Sequence, residues 1–202
     1  MDKRSIVIGV TGGTGCGVTV VSQLMKEWGG ALVSGDQLAR DIMQSGMPAF
    51  NAVVEAFGES ILTSDGQLDR RGLGTIVFKD KEKLERLNKA VHPFWIAAIK
   101  ENIEKARESG GVDVIIVDAA ILLETGLKSC VDKIVVVTAP LRLRRARIMQ
   151  RDDLDETQAD QRIFSQVPVS EKINQADYVI ENNGTLEQIK TKLEEIKADL
   201  LS

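Results

Sequence analysis

A single histidine, two cysteines and no long apolar run are the first things this chain shows, and each closes off a class of function. His92 has no partners arranged as a catalytic triad. Cys16 and Cys130 stand far apart and lack zinc spacing, so they read as reduced thiols of a cytosolic protein. No stretch approaches the ~18 apolar residues of a membrane span. The opening "MDKRSIVIGV" pairs two basic residues with an apolar stretch too short for a signal h-region, and it has no cleavage pattern. There is no internal repeat and no low-complexity linker. No N-K-x-D motif is present, which argues against a guanine-nucleotide switch. A net charge of −4 argues against a general nucleic-acid binder. No obligate protein partner is evident.

What is there is a chain of 202 residues, 43% hydrophobic and 28% charged, the profile of a globular domain with at most an insertion. Residues 5–10 are β-branched and apolar, as in a buried parallel strand. A glycine loop and a helix to about residue 28 follow. "ALVS" (31–34) is a second strand. Residues 37 to about 105 read as mostly helical, with a turn at "TSDGQLD". "VDVIIVD" (112–118) and "DKIVVVTA" (132–139) are buried strands. Helical segments run from Pro140, a first-turn proline, to about residue 176. "YVIE" (178–181) is a last strand. In the final amphipathic helix Leu186, Ile189, Leu193, Ile196 and Leu200 recur at steps of three and four, behind a capping box of Thr185 and Gln188. Strands alternating with helices predict an α/β fold. The long helical stretch after the second strand reads as an insertion forming a wall of the active site.

"GGTGCGVT" (12–19) has the spacing of the phosphate loop G-x-x-x-x-G-K-[ST], placed between a strand and a helix as that motif requires. Val18 stands where lysine belongs. Glycines let backbone N–H groups approach an anion, the helix start adds positive charge, and Thr19 offers a hydroxyl to Mg²⁺. The plain alternative is a glycine turn that binds nothing. "VIIVD" ends on Asp118, a carboxylate at the same sheet end, suited to Mg²⁺ through water. Asp36, just past the second strand, either accepts a proton from an incoming hydroxyl or caps the next helix. Arg40 follows one turn later. Arg144, Arg147 and Arg151 in "LRLRRARIMQR" share one helix face and clamp phosphates, form a solvated face paired with Asp152 and Asp153, or, least in keeping with the acidic chain, make a nucleic-acid patch. Pro93 biases His92 to an extended or turn conformation. His92 reads as structural or as a substrate contact.

These motifs in this order resemble the dephospho-CoA kinase family over nearly the whole chain. "TGGTGCGVTV" (11–20) follows "TGGIGSGKST". "SGDQLAR" (34–40) follows "DAD…AR". "SGMPA" (45–49) approaches "PGxPA". "DGQLDRRGLGTIVF" (65–78) matches "DGxLDRxxLxxxVF" throughout. "DAAILLETGL" (118–127) approaches "DVPLLFEAGL". "RIMQRD" (147–152) matches "RLMxRD", and "RIFSQVPVSEKINQADYVIENNG" (162–184) matches "RIxxQxPxxEKxxxADYVIxNxG".

The resemblance implies a P-loop kinase fold: three layers around a five-stranded parallel sheet, with a core of 1–40, 110–140 and 177–202, a helical acceptor-binding region of 41–109 and a lid of 141–176. It implies transfer of the γ-phosphate of ATP to the ribose 3′-hydroxyl of dephospho-CoA, the last step of coenzyme A synthesis, with Mg²⁺. Carried over by position, Gly12, Gly13, Thr14, Gly15, Cys16, Gly17, Val18, Thr19 and Val20 bind the nucleotide. Asp36, as base, and the lid's Arg147 and Arg151 are catalytic. Arg40, His92 and Asp118 serve the acceptor, and Thr19 holds Mg²⁺ with Asp36 or Asp118 acting through water.

The chain departs from the family pattern at Val18, at Ser34 in place of the first aspartate of "DAD", and at Ala120 in place of a proline. A charged hydrogen bond is worth ~1.5–3 kcal/mol, and a catalytic cation on transferring phosphate roughly 10³–10⁵-fold in rate. Valine also puts an apolar side chain facing phosphate. Lys3 and Arg4 precede the first strand and fall at the far edge of the sheet. Arg144, Arg147, Arg151 and Arg40 remain as substitutes. Two readings stand: a working kinase in which arginines replace the lysine, or a kinase-derived protein that binds nucleotide or CoA without efficient transfer.

Overall fold

A computed structural model of the protein describes residues 5–200, so Lys3 and Arg4 lie outside the described residues. The chain divides into two compact units, one running to Ser34 and resuming at Ile103, the other Gly35–Asn102.

The first unit holds a five-stranded sheet in the order β2-β3-β1-β4-β5. Its strands are β1 (Ile6–Gly12), β2 (Ala31–Ser34), β3 (Val114–Asp118), β4 (Lys133–Thr138) and β5 (Tyr178–Glu181). Every pairing is parallel. β3 is buried at every position, as is nearly all of β1. That burial explains why these strands read as unbroken apolar runs rather than alternating ones. Register aligns Val10 and Ser34 with Asp118, so β2 and β3 end together and β1 runs two residues further past the same sheet edge. In open α/β sheets this edge carries the ligand site.

Around the sheet lie α1 (Val18–Lys26), α6 (Leu141–Asp152), α7 (Glu156–Phe164), α8 (Val169–Ile173) and α9 (Leu186–Leu200). Ile189, Leu193 and Ile196 of α9 are buried in the core with Val21 and Met25 of α1. Leu200 packs at its border, whereas Leu186, in the first turn, is 48% exposed. The capping box ahead of α9 forms: Thr185 N–H donates to Gln188 Oε1 at 2.8 Å, and Gln188 N–H to Thr185 Oγ1 at 3.4 Å. Pro140 stands one residue outside the helix it was expected to open; α6 starts at Leu141, and Pro140 keeps an extended ψ of 142°.

The second unit contains α2 (Gly35–Asp41), α3 (Pro48–Phe57), α4 (Arg70–Val77) and most of α5 (Lys81–Glu108). Asp69 caps α4 by accepting from Gly72 N–H at 2.9 Å. The reading of His92 as extended or turn is corrected here. His92 and Pro93 lie inside the 28-residue helix α5. Proline removes one N–H and disfavours helix at the preceding residue, at ~3 kcal/mol in an exposed helix. Here Val91, Trp95 and Ile99 are buried on α5, and that packing outweighs the local penalty. No helix among the described residues is long and apolar enough to cross a membrane.

Candidate active site

The loop from Gly12 to Thr19 links β1 to α1, and its glycines are needed for close packing as well as for turning. Gly15 (φ 81°) and Gly17 (φ 87°) occupy the left-handed region, which a side chain disfavours. A Cβ on Gly15 would lie 2.7 Å from the carbonyl oxygen of Arg144, and one on Gly17 would collide with Asn182 Nδ2. The loop is therefore clasped from outside by α6 and by the residue after β5.

Several loop N–H groups are already engaged. Thr14 N–H donates to Gln166 Oε1 at 2.9 Å. Cys16 N–H donates to Gly13 O at 2.9 Å and Val20 N–H to Gly17 O at 3.1 Å. The N–H groups of Gly15, Gly17, Val18 and Thr19 have no protein acceptor among the described residues. They gather at the first turn of α1, where the helix dipole adds partial positive charge. A cluster of this kind is an anion nest. Thr19 and Val20 are exposed beside it, whereas Cys16 is buried.

Val18 does not face the nest with its side chain, as the sequence suggested. It is 8% exposed and belongs to the apolar core, with Cγ2 3.0 Å from where a Gly12 Cβ would stand. A β-branched apolar side chain gains by turning under the loop into that core. The lysine position thus contributes its backbone N–H and no charge.

Among the described residues three cations touch the loop. Arg144 Nε donates to Thr14 O at 2.9 Å. Arg147 Nη1 donates to Gly15 O at 3.3 Å, and its Nη2 to Asn182 O at 3.1 Å and Asn182 Oδ1 at 3.2 Å. Asn182 Nδ2 in turn donates to Cys16 O at 2.8 Å. The third is Lys172 of α8, to which sequence reasoning gave no role. It is fully buried, and its Nζ donates to Gly12 O at 3.2 Å and to Ala120 O at 2.6 Å while standing 2.7 Å from Glu124 Oε1. Both Glu124 oxygens lack a partner in good hydrogen-bond geometry. The 2.7 Å separation nonetheless compensates the charge, since Coulomb attraction does not need the angle that a hydrogen bond needs. The only signal for Lys172 in the sequence was its position in "SEK".

Arg151, expected on the same face, turns away. It is 61% exposed, and its Nε and Nη2 each lie 2.8 Å from an oxygen of Asp152. Asp152 also takes Arg162 Nη1 at 2.6 Å, and the Arg151 hydrogen bond, followed by the charges of both arginines, holds its carboxyl below the usual carboxylate range. Arg145 bridges to Asp160 at 2.8 Å and Glu156 at 2.7 Å, closing α6 onto α7.

Asp118 ends β3 and is 8% exposed, alongside Ser34 in the register of β2. In the second unit α2 begins at Gly35, which puts Asp36 in the first helical turn and not at the cap. Its carboxylate is exposed, with no hydrogen bond or ion pair among the described residues. Trp95 Nε1 donates to Gly35 O at 2.8 Å and so fixes the start of that turn. Arg40, exposed in the last turn, accepts at its carbonyl from Arg70 Nη2 at 3.1 Å. Though much of Arg70 is exposed, desolvation of its guanidinium, with the charge of Arg40 added, lowers its pKa from the ordinary arginine value. His92 is half-buried, its ring centroid 6.4 Å from that of Trp95. It lines a groove of about 520 Å³ with Glu85, Asn88, Lys89, Pro93 and Ile96.

The family model described as Dephospho-CoA kinase matches residues 6–188. A dephospho-CoA kinase from Bacillus cereus is 40% identical over 195 residues, covering 95% of this chain and 96% of its own. Among solved structures, one from Thermus thermophilus aligns with a TM-score of 0.78 at 30% identity, covering 98% of this chain and 99% of its own. A dephospho-CoA kinase from Campylobacter jejuni aligns with a TM-score of 0.67 at 26% identity, covering 96% of each chain.

Proposed function

This chain belongs to the dephospho-CoA kinase family, small-molecule kinases of the last step of coenzyme A synthesis, and we propose that Asp36 takes the proton of the acceptor hydroxyl in its reaction. The ribose 3′-oxygen of dephospho-CoA forms a bond to the γ-phosphorus of ATP. The bond from that phosphorus to the β–γ bridging oxygen breaks, ADP leaves, and the hydroxyl proton passes to the Asp36 carboxylate and then to solvent. The observation that carries this reading of the loop is the set of unengaged N–H groups at Gly15, Gly17, Val18 and Thr19. They bind the phosphates of ATP without any help from the side chain at 18.

Mg²⁺ fits the residues present. Thr19 and Asp118 are hard oxygen donors at the loop and at the neighbouring strand end, with Asp36 as a further contact through water. Among the described residues no group of three or more His, Cys, Asp or Glu is placed to cage a metal. That suits a cation carried mainly by nucleotide phosphates and water. When bound, Mg²⁺ neutralises charge on the phosphate oxygens. Arg147 braces the loop, and Arg151 reaches phosphate only by leaving Asp152. Arg40 and His92 contact the acceptor. We place the reaction in the cytoplasm, in keeping with free Cys16 and Cys130. The test is Asp36→Asn, assayed with ATP, Mg²⁺ and dephospho-CoA. It should lower kcat by about 10²–10⁴-fold with ATP binding intact; an unchanged kcat would remove Asp36 from the base role.

A further inference from the structure

We infer that Arg144 supplies to the phosphates of ATP the positive charge that the loop lacks at Val18. The inference rests on the kinase reading of the loop, and it follows from comparing the three cations that touch it.

Lys172 is excluded by burial. Its Nζ donates to Gly12 O and Ala120 O and stands 2.7 Å from Glu124 Oε1, which compensates its charge, on a side chain with no exposure. Arg147 is committed to structure, since both its terminal nitrogens hold backbone or Asn182 oxygens. Arg144 differs. Only its Nε is engaged, with Thr14 O. Its terminal amino groups have no protein acceptor among the described residues.

The guanidinium is nonetheless held close to the loop. A Cβ on Gly13 would lie 2.5 Å from Arg144 Nη2 and 2.8 Å from Cζ, so the group packs against the loop backbone at Gly13. The Arg144 backbone is pressed against Gly15 in the same way. The residue is half-buried, where charge is screened less than in water. A planar fork whose two terminal amino groups are both unengaged is the geometry that binds phosphate oxygens in pairs. Loss of the charge beneath the loop at Val18 is thus answered by a charge resting on top of it.

The test is a double-mutant cycle on the full chain: the natural protein, Arg144→Ala, Val18→Lys and the pair, each assayed for coenzyme A formation and, by calorimetry, for binding of ATP with Mg²⁺. We expect Arg144→Ala to lower kcat at least about 100-fold in the natural background and less than about tenfold in the Val18→Lys background. A role limited to holding the loop would cost the same in both backgrounds, and equal losses overturn the inference. Arg144→Lys and Arg144→Gln keep the question decidable if Val18→Lys does not fold. Retained activity in Arg144→Lys with loss in Arg144→Gln supports the charge, and equal loss in both overturns it. If the natural protein makes no coenzyme A, the kinase reading fails separately, and the calorimetric arm still decides. Arg144→Ala must then weaken ATP binding more than about tenfold in the natural background and much less in the Val18→Lys background, and equal weakening refutes the role of Arg144.

Discussion

Lys172 Nζ donates to the carbonyl oxygen of Gly12 at 3.2 Å, fixing a fully buried charge at the first residue of the phosphate loop. The same ammonium holds Ala120, two residues past Asp118, at 2.6 Å. One side chain on α8 therefore ties the start of the loop to the turn after β3, the two segments that bracket the proposed nucleotide site.

Removing one partner of a buried ion pair strands the other, at a cost of about 3–5 kcal/mol. Lys172→Met should therefore destabilise the protein by about that much in urea unfolding. Adding Glu124→Gln should recover part of the loss, because the stranded carboxylate is gone. If the second substitution instead deepens the loss by its own full cost, the two residues are not coupled.

Gly17 meets both conditions that forbid a side chain: a φ of 87° and Asn182 Nδ2 in collision with the Cβ position. Asn182 is itself tied to Cys16 O and to Arg147, so it has little room to yield. Gly17→Ala should lose about 1–2 kcal/mol from the left-handed backbone alone and weaken ATP binding in calorimetry by more than tenfold. Equal ATP affinity in the two proteins would show that the N–H nest tolerates a shifted loop.

Tyr178 is the only tyrosine in the chain, so its titration can be followed without overlap from another phenol. Its hydroxyl donates to Asp199 of α9, and that hydrogen bond to a carboxylate pushes its pKa up to about 12. The raised value favours the neutral phenol in the folded state. The resulting stabilisation is complete below the ordinary tyrosine value of about 10 and is lost as pH rises through about 12. Tyrosinate absorbance should rise with a midpoint near 12 while the fold persists, and Asp199→Asn should bring it down toward about 10.

Trp95 Nε1 donates to Gly35 O in a buried bond one residue before Asp36. Trp95→Phe removes that hydrogen bond, at about 0.5–1.5 kcal/mol, and loosens the turn that presents the proposed base. Stability should fall by this amount in denaturant unfolding, and kcat for coenzyme A formation should fall more than KM for ATP rises. A pure stability loss with an unchanged kcat would separate Trp95 from the positioning of Asp36.

Much of the fold was legible because burial leaves a local mark. β2 and β5 occupy the residues expected of them, and α9 shows its core through Ile189, Leu193 and Ile196. Legibility failed where tertiary packing outweighed a local preference. Pro93 marks a break in any isolated helix, yet α5 runs through it. Arg144, Arg147 and Arg151 share a helical spacing, but only the first two reach the loop, because Asp152 lies next to the third. At the site, the loop, Asp36 and Asp118 were visible as motifs. Lys172 was not, since its work depends on carbonyl oxygens at Gly12 and Ala120, and backbone carries no sequence signal. The direction of Val18 was equally hidden. Only the packed core shows that its side chain goes under the loop.

What matters most is whether a loop with Val18 still drives transfer. The most direct measurement is coenzyme A formation by the natural protein and by Val18→Lys, each incubated with ATP, Mg²⁺ and dephospho-CoA and followed by mass. Turnover by the natural protein, lowered at least about 100-fold by Arg144→Ala, is the result expected. ATP and dephospho-CoA both bound, with product formed only by the Val18→Lys variant, would contradict the account and make the chain a binding protein built on a kinase fold.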